Sequence, residues 1–272
     1  MVGFGTYRLK GKEGEKAIRA AIEAGYSIFD TATFYGNFDA LGGAMKDRDR
    51  QKFYIISKVW HDQQSPERLK KDLQQTLAQS HMHYLDAYLI HWPNSAVPIE
   101  ATLGAMDELR QEKKIRHIGL SNVTVNHLKK ALKVGVPITW VQVEMHPFFY
   151  DPALLDLCRE RSITVQAWRP LYLGRVGEDS ELALIAKKHG KTVSQVALRW
   201  IMQHGSIPLP SSKNREHMEE NLNARNFVLS EEEMRQIDAR AVKGARYRLT
   251  LESGVGFTDE FDLSYEQCWP DN

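Results

Sequence analysis

Along this 272-residue chain, short runs of β-branched and aromatic residues alternate with longer stretches whose apolar residues recur at helical spacing. Strands are predicted over 2–7, 26–29, 53–57, 85–90, 115–120, 140–143, 164–167 and 207–209. Between them the 3.6-residue period predicts helices over 13–24, 39–46, 65–80, 99–111, 124–132 and 152–161. Two more follow over 180–189 and 193–203, broken by Gly190, and the last pair covers 216–222 and the turn capped by Ser230. The punctuation agrees with the periods. Gly25 stops the first helix, Ser65 and Pro66 open the third, and Glu233 stands three residues after Ser230 in a capping box.

Eight strands, each followed by a helix, imply parallel strands joined by right-handed crossovers. An open doubly wound sheet and a closed barrel both satisfy that rule. The open sheet is favoured by a G-x-G-x-x-G turn after the first strand, and Gly3 and Gly5 lack the third glycine. Eight units at this length therefore predict an α/β fold, a (β/α)8 TIM barrel. No repeat or linker divides the chain, so a single domain is expected over 1–272, with a tail from about 243 over the active-site face.

Composition narrows the function classes. Apolar residues at 42% and charged residues at 26% describe a soluble globular protein. A formal net charge of +1 supplies no field for nucleic acid or an anionic membrane surface. No stretch reaches bilayer length, and Met1 runs directly into the first strand without a signal peptide, so a cytoplasmic monomer is expected. Two cysteines, Cys158 and Cys268, rule out a disulfide framework and a four-cysteine zinc site; idle thiols are expected.

Candidate chemistry gathers at one end of the strands. Asp30, Lys58, His91, Asn122 and Gln142 each stand at or just past the carboxyl end of a different successive strand. In a closed barrel those ends form one rim, where active sites are built. Singly each has a structural explanation: Asp30 as a turn residue, Lys58 reaching solvent, His91 packed beside Trp92, Tyr35 as packing. Together they form an acid. A phenol with a pKa of about 10 donates its proton more readily when a lysine ammonium stabilises the phenolate. That lysine keeps its charge if a carboxylate pairs with it, a role open to Asp30. His91 can orient a carbonyl oxygen, so the group suits proton delivery to a carbonyl and needs a hydride-donating cofactor.

The motifs carrying these residues resemble those of the aldo-keto reductase superfamily. They are Asp30 to Asn37 for Asp-Thr-Ala-x-x-Tyr-Gly-Asn, Ile56 to Trp60, Leu89 to Pro93, Ile118 to Asn122, Gln142 to Pro147, and Glu220-Asn221. The resemblance implies carbonyl reduction by a catalytic tetrad of Asp30, Tyr35, Lys58 and His91, with Tyr35 as general acid. It implies a nicotinamide site in which Ser121, Asn122 and Gln142 hold the carboxamide and Trp168 stacks on the ring. It places Thr6 near the ribose and Leu171, Leu173, Leu209, Pro210, Ser211, Ser212, Lys213, His217, Glu220 and Asn221 along the rest of the dinucleotide. Tyr7, Trp60, His91 and Trp92 match substrate-lining positions.

Several residues depart from the family pattern. The usual Ile-Pro-Lys-Ser is Leu209-Pro210-Ser211-Ser212, and a later arginine is His217. Lys213, Arg215 and the helix start after Asn214 offer replacements for a 2′-phosphate, so NADP(H) is favoured, with NAD(H) as the alternative. Arg169 replaces a small residue, Phe38 replaces a glutamate, and the chain begins almost at its first strand, which reads as a shortened N-terminus. In the tail, Tyr247, Phe257, Phe261, Tyr265 and Trp269 either contribute to specificity or pack the segment down. The expected partner is a small carbonyl compound. The alternative is a cofactor-binding regulatory subunit of the same fold. A metal-dependent hydrolase using His81, His83, His91 or His146 lacks paired acidic ligands, and no metal is expected.

Overall fold

A computed structural model describes residues 1–94 and 96–241; the aromatic tail residues and Cys268 lie outside this range. Its strands are β1 (Phe4–Gly5), β2 (Ile28–Asp30), β3 (Tyr54–Val59), β4 (Leu85–Ile90), β5 (Ile115–Ser121), β6 (Ile138–Glu144), β7 (Thr164–Trp168) and β8 (Ile207–Pro208). They pair in chain order, all parallel. The helices α1 (Gly11–Ala24), α2 (Phe38–Met45), α3 (Pro66–Ser80), α4 (Ile99–Gln111), α5 (Val125–Lys133), α6 (Pro152–Glu160), α7 (Ser180–His189), α8 (Val193–Gln203), α9 (Arg215–Asn223) and α10 (Glu231–Asp238) follow the predicted order.

The first strand is shorter than its apolar run suggests, for a reason visible at the seam. Gly3 and Gly5 donate their N–H groups to the carbonyls of Pro208 and Pro210, both at 2.9 Å, which joins the first strand to the last. Pro208 and Pro210 have no N–H to give back, so this edge carries half a ladder. Leu209, between them, donates to Ala167 on the other side at 3.0 Å.

Side chains alternate between the barrel interior and the helical ring. The interior layer is Ile28, Ile56, Ala87, Leu89, Trp140 and Ile207. Trp140 fits because its neighbour on β5 is Gly119, where a Cβ would lie 2.6 Å from the Trp140 carbonyl oxygen. The larger outer layer joins strand residues such as Phe29, Ile55 and Tyr88 to Ile18, Leu41, Leu73 and Trp200 on the helices. Cys158 is buried there, and burial pushes its thiol up to about 12, leaving it protonated and inert. No helix among the described residues is long and apolar enough to cross a membrane.

The segment after β2 is built as a tight turn. Residues Thr33–Tyr35 form one turn of 3-10 helix, ended by Gly36 in a left-handed conformation at φ 57°. Asn37 is buried and fastens this turn. Its Nδ2 donates to the Thr6 carbonyl at 2.9 Å, and its Oδ1 accepts from the Thr31 hydroxyl at 2.7 Å. Tyr35 thereby projects from a braced backbone.

Candidate active site

Asp30 comes to the rim as the last residue of β2, and Lys58 as the fifth of β3. The Lys58 ammonium is fully buried, 2.8 Å from each Asp30 carboxylate oxygen, and also donates to the Thr31 carbonyl at 2.8 Å. The ammonium lies 5.2 Å from the centre of the Tyr35 ring. His91, immediately after β4, packs edge-on against Tyr35 with ring centres 5.8 Å apart. Four residues from three strand ends therefore meet at one point, as their positions predicted.

Burial dominates the electrostatics of this group. It pushes the Asp30 carboxyl up, opposed by Lys58 and by the Gln142 amide. It pulls the Lys58 ammonium down, opposed by Asp30. The geometry favours the charged pair: both carboxylate oxygens are in contact with the ammonium, and each charge has a further hydrogen-bonding partner. Tyr35 is pushed well above the usual phenol value by burial, then by the negative Asp30 and by Tyr7. His91 is held well below the usual imidazole value by burial, then by Lys58 and His61, so it is neutral across the physiological range. Its Nδ1 is buried without a partner among the described residues.

Next to this group lies a set of amides. Gln142 donates from Nε2 to Asp30 Oδ1 at 2.6 Å and to Gln166 Oε1 at 3.0 Å. Asn122 has φ 58°, donates to the His91 carbonyl at 2.9 Å and to Ser121 Oγ at 3.1 Å. Its Oδ1 accepts from Trp168 Nε1 at 2.9 Å, which fixes the edge of that indole. The Thr6 hydroxyl is buried and donates to the Asp30 carbonyl at 2.8 Å, so its proton serves the barrel.

Farther along the rim, Leu209 and Pro210 are buried, while Ser211, Lys213 and His217 are exposed. Arg215 is tied to Glu219 at 2.9 Å and to Glu23 at 3.3 Å. Glu220 accepts from the Thr192 hydroxyl at 2.6 Å, and Asn221 is buried beside Tyr26. Leu173 is 76% exposed in a turn where Arg169, Tyr172 and Leu173 all take left-handed backbone conformations, and Leu171 packs partly onto the core. The Arg169 guanidinium points to Glu144, 3.7 Å away. Among the described residues no group of three metal-ligating side chains occurs, and His81 and His83 stand at the opposite end of β4 from His91.

The mouth is aromatic. Trp60, Trp92 and Trp168 form one apolar cluster, and Tyr7 lies 5.0 Å from Tyr35, ring centre to ring centre. Two participants escape sequence reasoning. Phe34, one residue before Tyr35, stacks on Trp60 at 4.1 Å with planes 14° apart, and the neighbouring tyrosine concealed it. Gln166, fully buried on β7, braces Gln142; its placement two residues before the strand end is the only signal available.

A model of the Aldo/keto reductase family matches residues 1–241. Glyoxal reductase of Bacillus subtilis is 38% identical over 241 residues, covering 87% of each chain. Methylglyoxal reductase DkgB of Escherichia coli O157:H7 is 35% identical over 266 residues, covering 96% of this chain and 98% of the relative. The crystal structure of a Gox0644 mutant in complex with NADPH superposes with a TM-score of 0.85 at 31% identity, covering 90% of this chain and 91% of that one. A family match across the barrel, joined to relatives of this identity and coverage, means that the chain belongs to the Aldo/keto reductase family.

Proposed function

We propose that this protein reduces aldehydes and ketones to alcohols with NADPH, using Tyr35 as the proton donor. The observation that carries this reading is the fully buried Lys58 ammonium, clamped by Asp30 at 2.8 Å and lying beneath the Tyr35 ring. An ammonium so placed stabilises negative charge on the phenol oxygen as the proton leaves. Asp30 keeps Lys58 charged, and Gln142 holds Asp30 in place. A neutral His91 donates a hydrogen bond to the carbonyl oxygen without competing to protonate it. The relatives named for glyoxal and methylglyoxal reduction support the reaction class.

The nearby residues fit a nicotinamide. With both Gln142 N–H groups committed, its Oε1 is left to accept from a carboxamide, and Ser121 and Asn122 adjoin it. The partly exposed Trp168, held by Asn122, offers a flat face for stacking. The bound dinucleotide supplies the hydride. Because Arg215 is engaged by two glutamates, a 2′-phosphate falls to Lys213, Ser212 and the N–H groups opening α9. The NADPH-bound relative supports this cofactor.

The test is steady-state reduction of 4-nitrobenzaldehyde with each cofactor. NADPH is expected to show the lower Michaelis constant, and Lys213→Ala to raise it about tenfold with little change for NADH. A preference for NADH rejects the cofactor assignment, and no turnover with either rejects the reaction.

The raised phenol also sets the sign of the pH response. Reduction uses the protonated Tyr35, so its rate is expected to hold from about pH 6 to 8 and decline only as the phenol ionises in the alkaline range. Alcohol oxidation uses the phenolate and should climb over the same alkaline range. A reduction rate that rises toward pH 9 is incompatible with Tyr35 as the acid.

A further inference from the structure

We propose that the mouth of this site selects carbonyl substrates bearing an anionic group, with Arg8 and Lys10 as the residues that recognise it. This rests on the carbonyl-reducing reading above and adds the substrate class.

Arg8 takes a left-handed conformation at φ 67°, which a non-glycine residue rarely adopts. It places the guanidinium over the ring of Tyr7, 5.3 Å from its centre. Tyr7 in turn stands 5.0 Å from Tyr35. Lys10 approaches from the other side of the same turn. Position 36, directly after Tyr35, is a glycine, and a Cβ there would lie 3.6 Å from Lys10 Nζ. Gly36 is required by its left-handed backbone at φ 57°, and that 3.6 Å is ordinary contact distance, so the ammonium stands one residue from Tyr35.

Both cations are exposed, and neither forms an ion pair among the described residues. Several other basic residues, by contrast, are paired. Arg19 is bound by Glu15, Arg215 by Glu23 and Glu219, and Lys58 by Asp30. Position 38, on the same turn, holds an apolar phenylalanine that is itself buried. Arg8 and Lys10, without acidic partners among the described residues, thus bring two cations beside the turn that carries Tyr35, and Phe34 stacked on Trp60 gives the same turn an aromatic face. A fitting ligand has a carbonyl for Tyr35 and His91, an apolar body for the aromatic face, and a carboxylate or phosphate at its outer end. Such a group within a Debye length of two cations gains both affinity and encounter rate.

The experiment compares kcat/KM for 4-carboxybenzaldehyde and its neutral methyl ester, and for glyceraldehyde 3-phosphate and glyceraldehyde. The anionic member of at least one pair is expected to be favoured about tenfold at low salt. That ratio should collapse toward one in the Arg8→Gln/Lys10→Gln variant and at about 1 M salt, where the Debye length is about 3 Å. The responding pair identifies carboxylate or phosphate as the recognised group. A ratio near one in the wild type, a ratio the variant does not change, or a parallel loss for both members overturns the proposal. If no aldehyde is reduced, the reaction assignment fails separately. Quenching of the mouth tryptophans by 4-carboxybenzoate then decides this inference: salt-sensitive binding lost in the variant upholds it, and absent or variant-indifferent binding overturns it.

Discussion

Replacing Tyr35 with phenylalanine is expected to lower kcat for carbonyl reduction about a thousandfold while leaving dinucleotide affinity within about twofold. The substitution removes one oxygen. The ring keeps its contacts with Tyr7 at 5.0 Å, His91 at 5.8 Å and the Lys58 ammonium at 5.2 Å. The turn that carries it is fastened by Asn37 and Gly36 through backbone and amide contacts that do not involve the phenol. The residues fitted to the nicotinamide lie on β5, β6 and β7 and are equally untouched. The loss should therefore fall on kcat, with unchanged thermal unfolding and unchanged cofactor titration. Turnover near that of the wild type would show that another group delivers the proton.

Lys58→Met should abolish reduction to a similar extent and, unlike the tyrosine variant, also destabilise the fold. Removing the ammonium leaves Asp30 buried with Gln142 as its remaining side-chain donor. An uncompensated buried charge costs about 3–5 kcal/mol, a cost the carboxyl can escape by taking up a proton. Burial already pushes Asp30 upward in the wild type, with Lys58 as the largest opposing influence, so the variant raises it further. The sign follows from linkage. A carboxyl whose folded pKa exceeds its unfolded value stabilises the fold below the unfolded pKa, and that stability is lost as pH rises through the folded pKa. Lys58→Met should thus gain in melting temperature on acidification relative to Asp30→Asn/Lys58→Met, which has no carboxyl to titrate. Equal pH responses in the two variants would mean that the Asp30 carboxyl has the same pKa folded and unfolded, so that losing Lys58 does not raise it. Retained reduction by Lys58→Met would remove the lysine from the mechanism.

The contrast between these variants reflects how the site is built. Tyr35 projects from a braced turn and can lose its function without disturbing its supports, whereas Lys58 and Asp30 are part of the barrel's interior packing. On the proposed mechanism, catalytic and structural roles coincide in that pair. Asp30 in turn draws in Gln142 and, through it, Gln166.

The sequence by itself determined the order and type of the elements, because period-two and period-3.6 patterns are local properties of a chain that buries one face of each element. It also determined that Asp30, Lys58, His91, Asn122 and Gln142 share a rim, since parallel strands in chain order send all their carboxyl ends the same way. Only the tertiary structure decided what each polar atom does there. The proton of the Thr6 hydroxyl goes to the Asp30 carbonyl, Arg215 is neutralised by Glu23 from 192 positions away, and Phe34 lies flat on Trp60. Those partners are distant in sequence, so no local spacing records them. The pKa directions of Tyr35 and His91 were likewise beyond the sequence, because desolvation is set by the packing of several strands and loops around one small volume.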